Sequence, residues 1–149
     1  MRAVVQRVKE ASVTVEGKTV GSIAQGLLVF LGIGQDDKQS DIAYIRDKVV
    51  NLRIFNDDHG NMNLSAADLG AEILLVSQFT LYGDCRKGRR PSFNQSAPIV
   101  SAKEIYEASV TEFKASGLKI ETGRFQAHMN IASINDGPVT IMLDSQKLF

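Results

Sequence analysis

The chain has 149 residues, 44% of them hydrophobic and 23% charged, which is the make-up of an ordinary globular protein with chain enough for one sizeable core. Formal net charge is zero, so nothing global advertises nucleic acid, and any such binding must come from a local patch. The single cysteine, Cys85, excludes an internal disulfide; with no signal-peptide pattern and no apolar run near the roughly 18 residues that span a bilayer, a cytoplasmic location without membrane contact is expected.

In chain order, Arg2–Val8 and Ser12–Glu16 read as two short strands, the second alternating polar and apolar as a half-buried strand should. Gly17-Lys18 and Gly21 supply turn chemistry, and Thr19–Ile23 suits a further strand. Gly26–Gly34 is almost wholly apolar and reads as a central strand. These N-terminal strands are expected to run antiparallel. Ser40 can cap a helix whose Ile42, Ile45, Val49 and Leu52 share one face. Arg53–Phe55 reads as strand, residues 56–61 as a polar turn, and Leu64–Leu69 as a short helical turn. The spacing Ser101-x-x-Glu104 predicts the start of a second helix with Ala102, Tyr106, Val110 and Phe113 on one face and Gly117 at its end. Ile131–Ile134 and Val139–Leu143 read as two last strands with a turn between them. The expected fold class is α+β: mostly antiparallel β-sheets rolled into a barrel-like core with two helices, one domain over residues 1–149.

Two stretches depart from plain structural patterning. Ile73–Val76 is a buried-strand run whose carboxyl end turns abruptly polar at Ser77, Gln78 and Thr80, followed by Gly83-Asp84. Small polar groups at the end of a rigid strand are held still, as a site requires. The second stretch is Asn135-Asp136-Gly137-Pro138-Val139-Thr140. The two are expected to meet in one site.

Standard catalytic templates fit poorly. Gly32-Ile33-Gly34 lacks a third glycine, and Asp36-Asp37 would repel a phosphate. Residues 56–61 do not match a calcium loop. His59 and His128 are the only histidines, and no Gly-x-Ser-x-Gly elbow holds a serine beside either. Cys85, beside Arg86 and Lys87, has no positioned base. Arg86, Lys87, Arg89 and Arg90 form the one dense cationic cluster, readable as a phosphate-backbone patch or as a solvated loop. A Gly-Pro between strands is ordinarily a turn.

Ser77-Gln78-Phe79-Thr80-Leu81 and Asn135–Thr140 resemble the two signature motifs of the D-aminoacyl-tRNA deacylases (D-tyrosyl-tRNA deacylases). The likeness extends through Gln6-Arg7-Val8, Ala11–Val15, Gly26–Val29 and Arg89–Phe93. The resemblance implies a homodimeric hydrolase that cleaves the ester between a D-amino acid and the terminal adenosine of tRNA, with no cofactor, no metal and no DNA partner. It also implies a cis Gly137-Pro138 bond carried on a loop that enters the partner subunit's active site, where backbone carbonyls leave no room for an L side chain. Arg7 would orient that loop. Ser77, Gln78, Phe79 and Thr80 would surround the ester, and Phe125 and Met129 would lie near the adenine.

An aminoacyl ester is already activated, so positioned water and an oxyanion donor such as the Phe79 N–H suffice, and the vicinal ribose hydroxyl can assist. Thr80 as covalent nucleophile is the rival mechanism. Exclusion by rigid backbone would admit many D side chains and glycine. From other classes, a non-catalytic RNA-binding module built on the Arg86–Arg90 loop and a general esterase using Ser77 or Thr80 stay open.

Overall fold

The computed structural model describes residues 1–149. The two N-terminal β-branched stretches, expected as separate strands, run on as one strand, β1 (Arg2–Val15). They fuse because different neighbours need different parts of it. Residues 2–8 pair antiparallel with β3 (Gly26–Gly32), residues 11–15 pair antiparallel with β2 (Lys18–Ile23), and the other edge pairs with β8 (Asn130–Asp144).

After β3 the chain crosses over through α1 (Gln39–Asn51), the short antiparallel pair β4 (Phe55–Asn56) and β5 (Met62–Leu64), and α2 (Ala66–Leu69). That crossover returns the chain to the starting end of the sheet, so β6 (Glu72–Ser77) lies parallel to β3. A three-residue strand absent from the sequence reading, β7 (Ile120–Thr122), adds parallel to β6 after α3 (Ile99–Lys114). The main sheet is therefore mixed, in the order β2-β1-β3-β6-β7. It nearly closes into a barrel. Gly21 permits this, since a Cβ there would lie 2.4 Å from the Thr122 carbonyl oxygen across the β2–β7 seam.

Ile73–Val76 is buried on both faces, as its composition demands. Leu74 and Val76 join Val8, Val13, Leu28 and their neighbours in the barrel interior. Ile73 and Leu75 face the outer core, which α1 and α3 cover with Ile42, Ile45, Val49, Tyr106 and Phe113. Burying 0%-exposed aliphatic side chains at about 25 cal/mol per Å² on both sides makes β6 a firmly held platform.

Both long helices start differently from expectation. The N-cap position of α1 is Lys38, not Ser40, because the Asp41 carboxylate accepts the Lys38 N–H at 2.8 Å. A carboxylate in the first turn also complements the helix dipole. The second begins at Ile99, directly after Pro98, and Ser101 donates its hydroxyl to the Pro98 carbonyl at 3.1 Å instead of capping. Pro fixes φ near the helical value, which favours a start at that point.

The largest departure is β8. The two strands expected on either side of Asn135–Thr140 are one 15-residue strand running along β1. Gln6 faces Thr140 while Val8 already faces Asn135, so residues 136–139 leave the ladder as a bulge rather than turning the chain back. Proline, which donates no ladder bond, sits where no donor is needed. No helix is long and apolar enough to cross a membrane.

Candidate functional site

At the end of β6 the ladder runs one residue further, with the Gln78 N–H donating to the Leu31 carbonyl at 2.8 Å. The chain then tightens into a 3-10 turn, Phe79–Tyr82, packed over the end of β3. Gly32 makes room for it, since a Cβ would lie 3.0 Å from Leu81 Cβ and 3.1 Å from the Gln78 carbonyl oxygen. A 3-10 turn leaves its first N–H groups without internal acceptors. Accordingly the Phe79 and Thr80 amides bond to nothing else in the chain.

The Phe79 end of this turn borders an open cavity of about 560 Å³. Ser77, Gln78 and Phe79 form one side, and Phe125, Gln126, Ala127, His128 and Met129 form another. Leu31, Ile33, Ser96, Ala97, Ile99, Ala102 and Ile131 complete the lining. Of the residues expected around the ester, Thr80 does not line it; its exposed hydroxyl instead accepts a hydrogen bond from the Gln78 carboxamide. Phe125 and Met129 fall in the wall as expected.

Beyond Phe125 and Met129, the wall brings in Gln126, Ala127 and His128, which the sequence reading does not single out for this site. Its signal is an alternation: Phe125, Ala127 and Met129 are half-buried while Gln126 and His128 are exposed. The wall starts from a turn closed by the Ala127 N–H on the Arg124 carbonyl at 3.2 Å, with Gln126 at φ +65°. Met129 runs across Gly123, where a Cβ would meet its sulfur at 2.6 Å.

The cationic segment is a hairpin closed by reciprocal backbone bonds between Asp84 and Ser92 at 2.8 and 2.9 Å. Arg86 is committed within it, donating Nε to Asp84 Oδ1 at 2.9 Å and Nη2 to Oδ2 at 2.6 Å. That guanidinium holds the Asp84 carboxyl far below the ordinary carboxylate range. Lys87, Arg89 and Arg90 are exposed and form no ion pair. None of the four lines the cavity, but the hairpin abuts it through Phe93, whose ring meets that of Phe79 edge-on at 5.0 Å. Phe79 itself stays 57% exposed, an unusual allowance for an aromatic ring.

The Asn135–Thr140 bulge is built elsewhere. Within a single chain none of its residues lines the cavity; the expected shared site, which joins one subunit's bulge to its partner's cavity, involves a second chain. The bulge projects from β8 opposite Arg7, across β1 and β3 from the end of β6. Arg7 is 6% exposed and donates Nε to the Asp136 carbonyl at 2.9 Å, and Nη1 to the Ile54 carbonyl at 2.5 Å and to Asn56 Oδ1 at 3.3 Å. Asn135 closes the bulge from the other side: its Oδ1 accepts the Val139 N–H at 2.8 Å and its Nδ2 reaches Thr140 Oγ1 at 3.3 Å. Val139 is buried beneath, while Gly137 and Pro138 stand exposed at the tip with a cis bond between them.

Against protein-family models the chain matches that described as D-Tyr-tRNA(Tyr) deacylase, over residues 4–144. Curated relatives named D-aminoacyl-tRNA deacylase include those of Thermosipho africanus (61% identical), Thermotoga petrophila (60%) and Halothermothrix orenii (62%). Each alignment spans 149 residues, all of this chain and all of the relative. Among solved structures, one described as c-Myc DNA Unwinding Element Binding Protein is 40% identical with a TM-score of 0.91, covering 97% of this chain and 98% of its own. Another, described as a probable eukaryotic D-amino acid tRNA deacylase, shares the fold at 17% identity and a TM-score of 0.83, covering 95% of this chain and 97% of its own.

Proposed function

The chain belongs to the D-Tyr-tRNA(Tyr) deacylase family, and we propose that it is a cytoplasmic hydrolase that frees tRNA from D-amino acids by cleaving the ester at the terminal adenosine. The observation that carries this reading is a pair of unbonded amides, that of Phe79, which lines a cavity large enough for an aminoacyl-adenosine end, and that of Thr80 next to it in the chain. Two fixed N–H groups can receive the oxygen that becomes negative when water adds to the ester carbonyl. The tetrahedral species then collapses, the ribose oxygen leaves and takes up a proton, and the amino acid departs as its carboxylate. The neighbouring ribose hydroxyl helps orient the water. Neither a general base nor an activated nucleophile is asked of the protein, in keeping with a Thr80 hydroxyl engaged by Gln78 and no histidine beside it.

Chiral selection falls to the exposed tip of the bulge. Gly137 and Pro138 cannot reach the cavity of their own chain, so the reading requires a homodimer in which each tip enters the other subunit's cavity. Main-chain atoms held by Arg7 and Asn135 would then occupy the space an L side chain needs. Such a filter rejects on shape alone, so D-Tyr, D-Asp and achiral glycyl esters are all accepted. Lys87, Arg89 and Arg90 hold the tRNA backbone beside Phe79, and Phe125 and Met129 hold the adenine.

Incubating the purified protein with D-Tyr-tRNA and with L-Tyr-tRNA tests the proposal. Release of the D ester alone is the expected result. Protection of both esters would mark an RNA-binding module instead, and release of both would mark an unselective esterase. Sedimentation should give a dimer, and a monomer active at nanomolar concentration would remove the cross-subunit filter.

A further inference from the structure

Resting on the reading of this cavity as the aminoacyl-adenosine site, we infer that Tyr106 of α3 is a positioning residue for substrate, acting through Phe125. Tyr106 is 4% exposed and touches no part of the cavity itself. Its ring lies 5.7 Å from that of Phe125, at 34°. Its hydroxyl donates to the Leu75 carbonyl at 2.8 Å, two residues before Ser77 on β6. Burial pushes that hydroxyl's pKa well up, so it stays protonated and remains a donor.

The same Leu75 carbonyl also accepts the Gly123 N–H at 3.3 Å, the point at which the chain leaves β7 for the Phe125–Met129 wall. One side chain thus ties three things together: the strand that carries the Ser77–Thr80 motif, the place where the wall begins, and the ring that forms the wall. The two halves of Tyr106 have separate work. The hydroxyl fastens α3 to β6. The ring gives Phe125 the one aromatic surface it packs against, at a tilt of 34°. Phe125 follows the last β7 residue by only a few positions and has no ladder of its own, so its placement depends on that surface.

Tyr106→Leu removes both ring and hydroxyl. The KM for D-Tyr-tRNA should rise about tenfold, the upper worth of an aromatic pair, with kcat per folded molecule within about threefold because the Phe79 and Thr80 amides hang on β3 and β6. Tyr106→Phe, which keeps the ring, should restore most of the KM while still lowering the unfolding midpoint. Phe125→Leu should raise KM to a similar degree, and adding Tyr106→Leu to it should add nothing further. Site-specific 4-fluorophenylalanine at position 125 gives a readout independent of turnover: its fluorine line should shift and broaden in Tyr106→Leu and stay near the wild-type position in Tyr106→Phe. If the line does not move, or if the Tyr106 and Phe125 effects on KM multiply, the inference is overturned. If the wild-type chain deacylates nothing, the proposed function fails, and the fluorine line still decides whether Tyr106 supports Phe125.

Discussion

The end of β6 and the Asn135–Thr140 bulge carry the two motifs of this chain, and they are built on opposite plans. At the end of β6 the scaffold is saturated up to Gln78, and then two amides and an aromatic ring are left open to solvent. In the bulge nearly every polar atom beneath the tip is spoken for: Arg7 reaches Asp136, Ile54 and Asn56, and Asn135 reaches Val139 and Thr140. Free donors receive charge that develops during a reaction, and they serve only if the backbone beneath them cannot drift. A steric filter needs the reverse: no spare donors and no give. The first region is organised by what it leaves unpaired, the second by what it pairs.

The sharpest way to break the comparison is Gly137→Ala. Gly137 sits at φ +147°, and an added Cβ would lie 2.8 Å from Val139 Cγ2 and 2.9 Å from the Val139 N. The tip must shift, and a displacement near 1 Å should lower kcat/KM for D-Tyr-tRNA by roughly 100-fold and erode the D/L ratio. Unchanged turnover and selectivity would mean the tip has no part in the reaction. Arg7→Ala comes next. It strips the donor from two backbone carbonyls and from Asn56, and should cost about 3 kcal/mol in denaturant unfolding. A loss under 1 kcal/mol would show the bulge to be held by Asn135 alone.

Thr80→Val probes the other region. Losing only the contact with Gln78 should slow turnover less than about tenfold, whereas removing a true nucleophile costs on the order of a millionfold. Smaller still is the basic hairpin. Replacing Arg89 and Arg90 with Ala should raise KM several-fold and flatten its dependence on log salt by about 0.7 per lost phosphate contact. Arg86→Ala should do less, because Asp84 already neutralises it. Equal effects from all three would mean that Asp84 does not hold Arg86 in solution. A pH titration checks the same clip. Asp84 ordinarily titrates near 3.8 but is depressed here, first by its hydrogen bond to the Arg86 side chain, so the clip's contribution is complete above that value and disappears only as pH falls through the lower folded one. Carboxyl carbon shifts should therefore show Asp84 still ionised at pH 3.8.

Much of this was legible without coordinates. Ile73–Val76 announced a strand buried on both faces, the spacing Ile42-Ile45-Val49 announced a helix face, and the polar break at Ser77 announced a site. The Phe125–Met129 wall is not legible as a unit in the sequence, because a five-residue alternation between two strands resembles any exposed loop. The helices start two and three residues before Ser40 and Ser101 suggest, since those serines are good caps in isolation but Asp41 and Pro98 are better placed.

Local chemistry, then, determined which segments extend, which coil, and which residues are too polar or too conformationally particular to be filler. Only the tertiary structure decided that β3 and β6 run parallel, that two N-terminal stretches are one strand, and that Asn135–Thr140 bulges from a continuous strand rather than turning a hairpin. It alone separated the two motifs within one chain. Periodicity reports which face of a segment is buried, but partner and register are settled by which surfaces fit together across the whole core, information that no window of sequence contains.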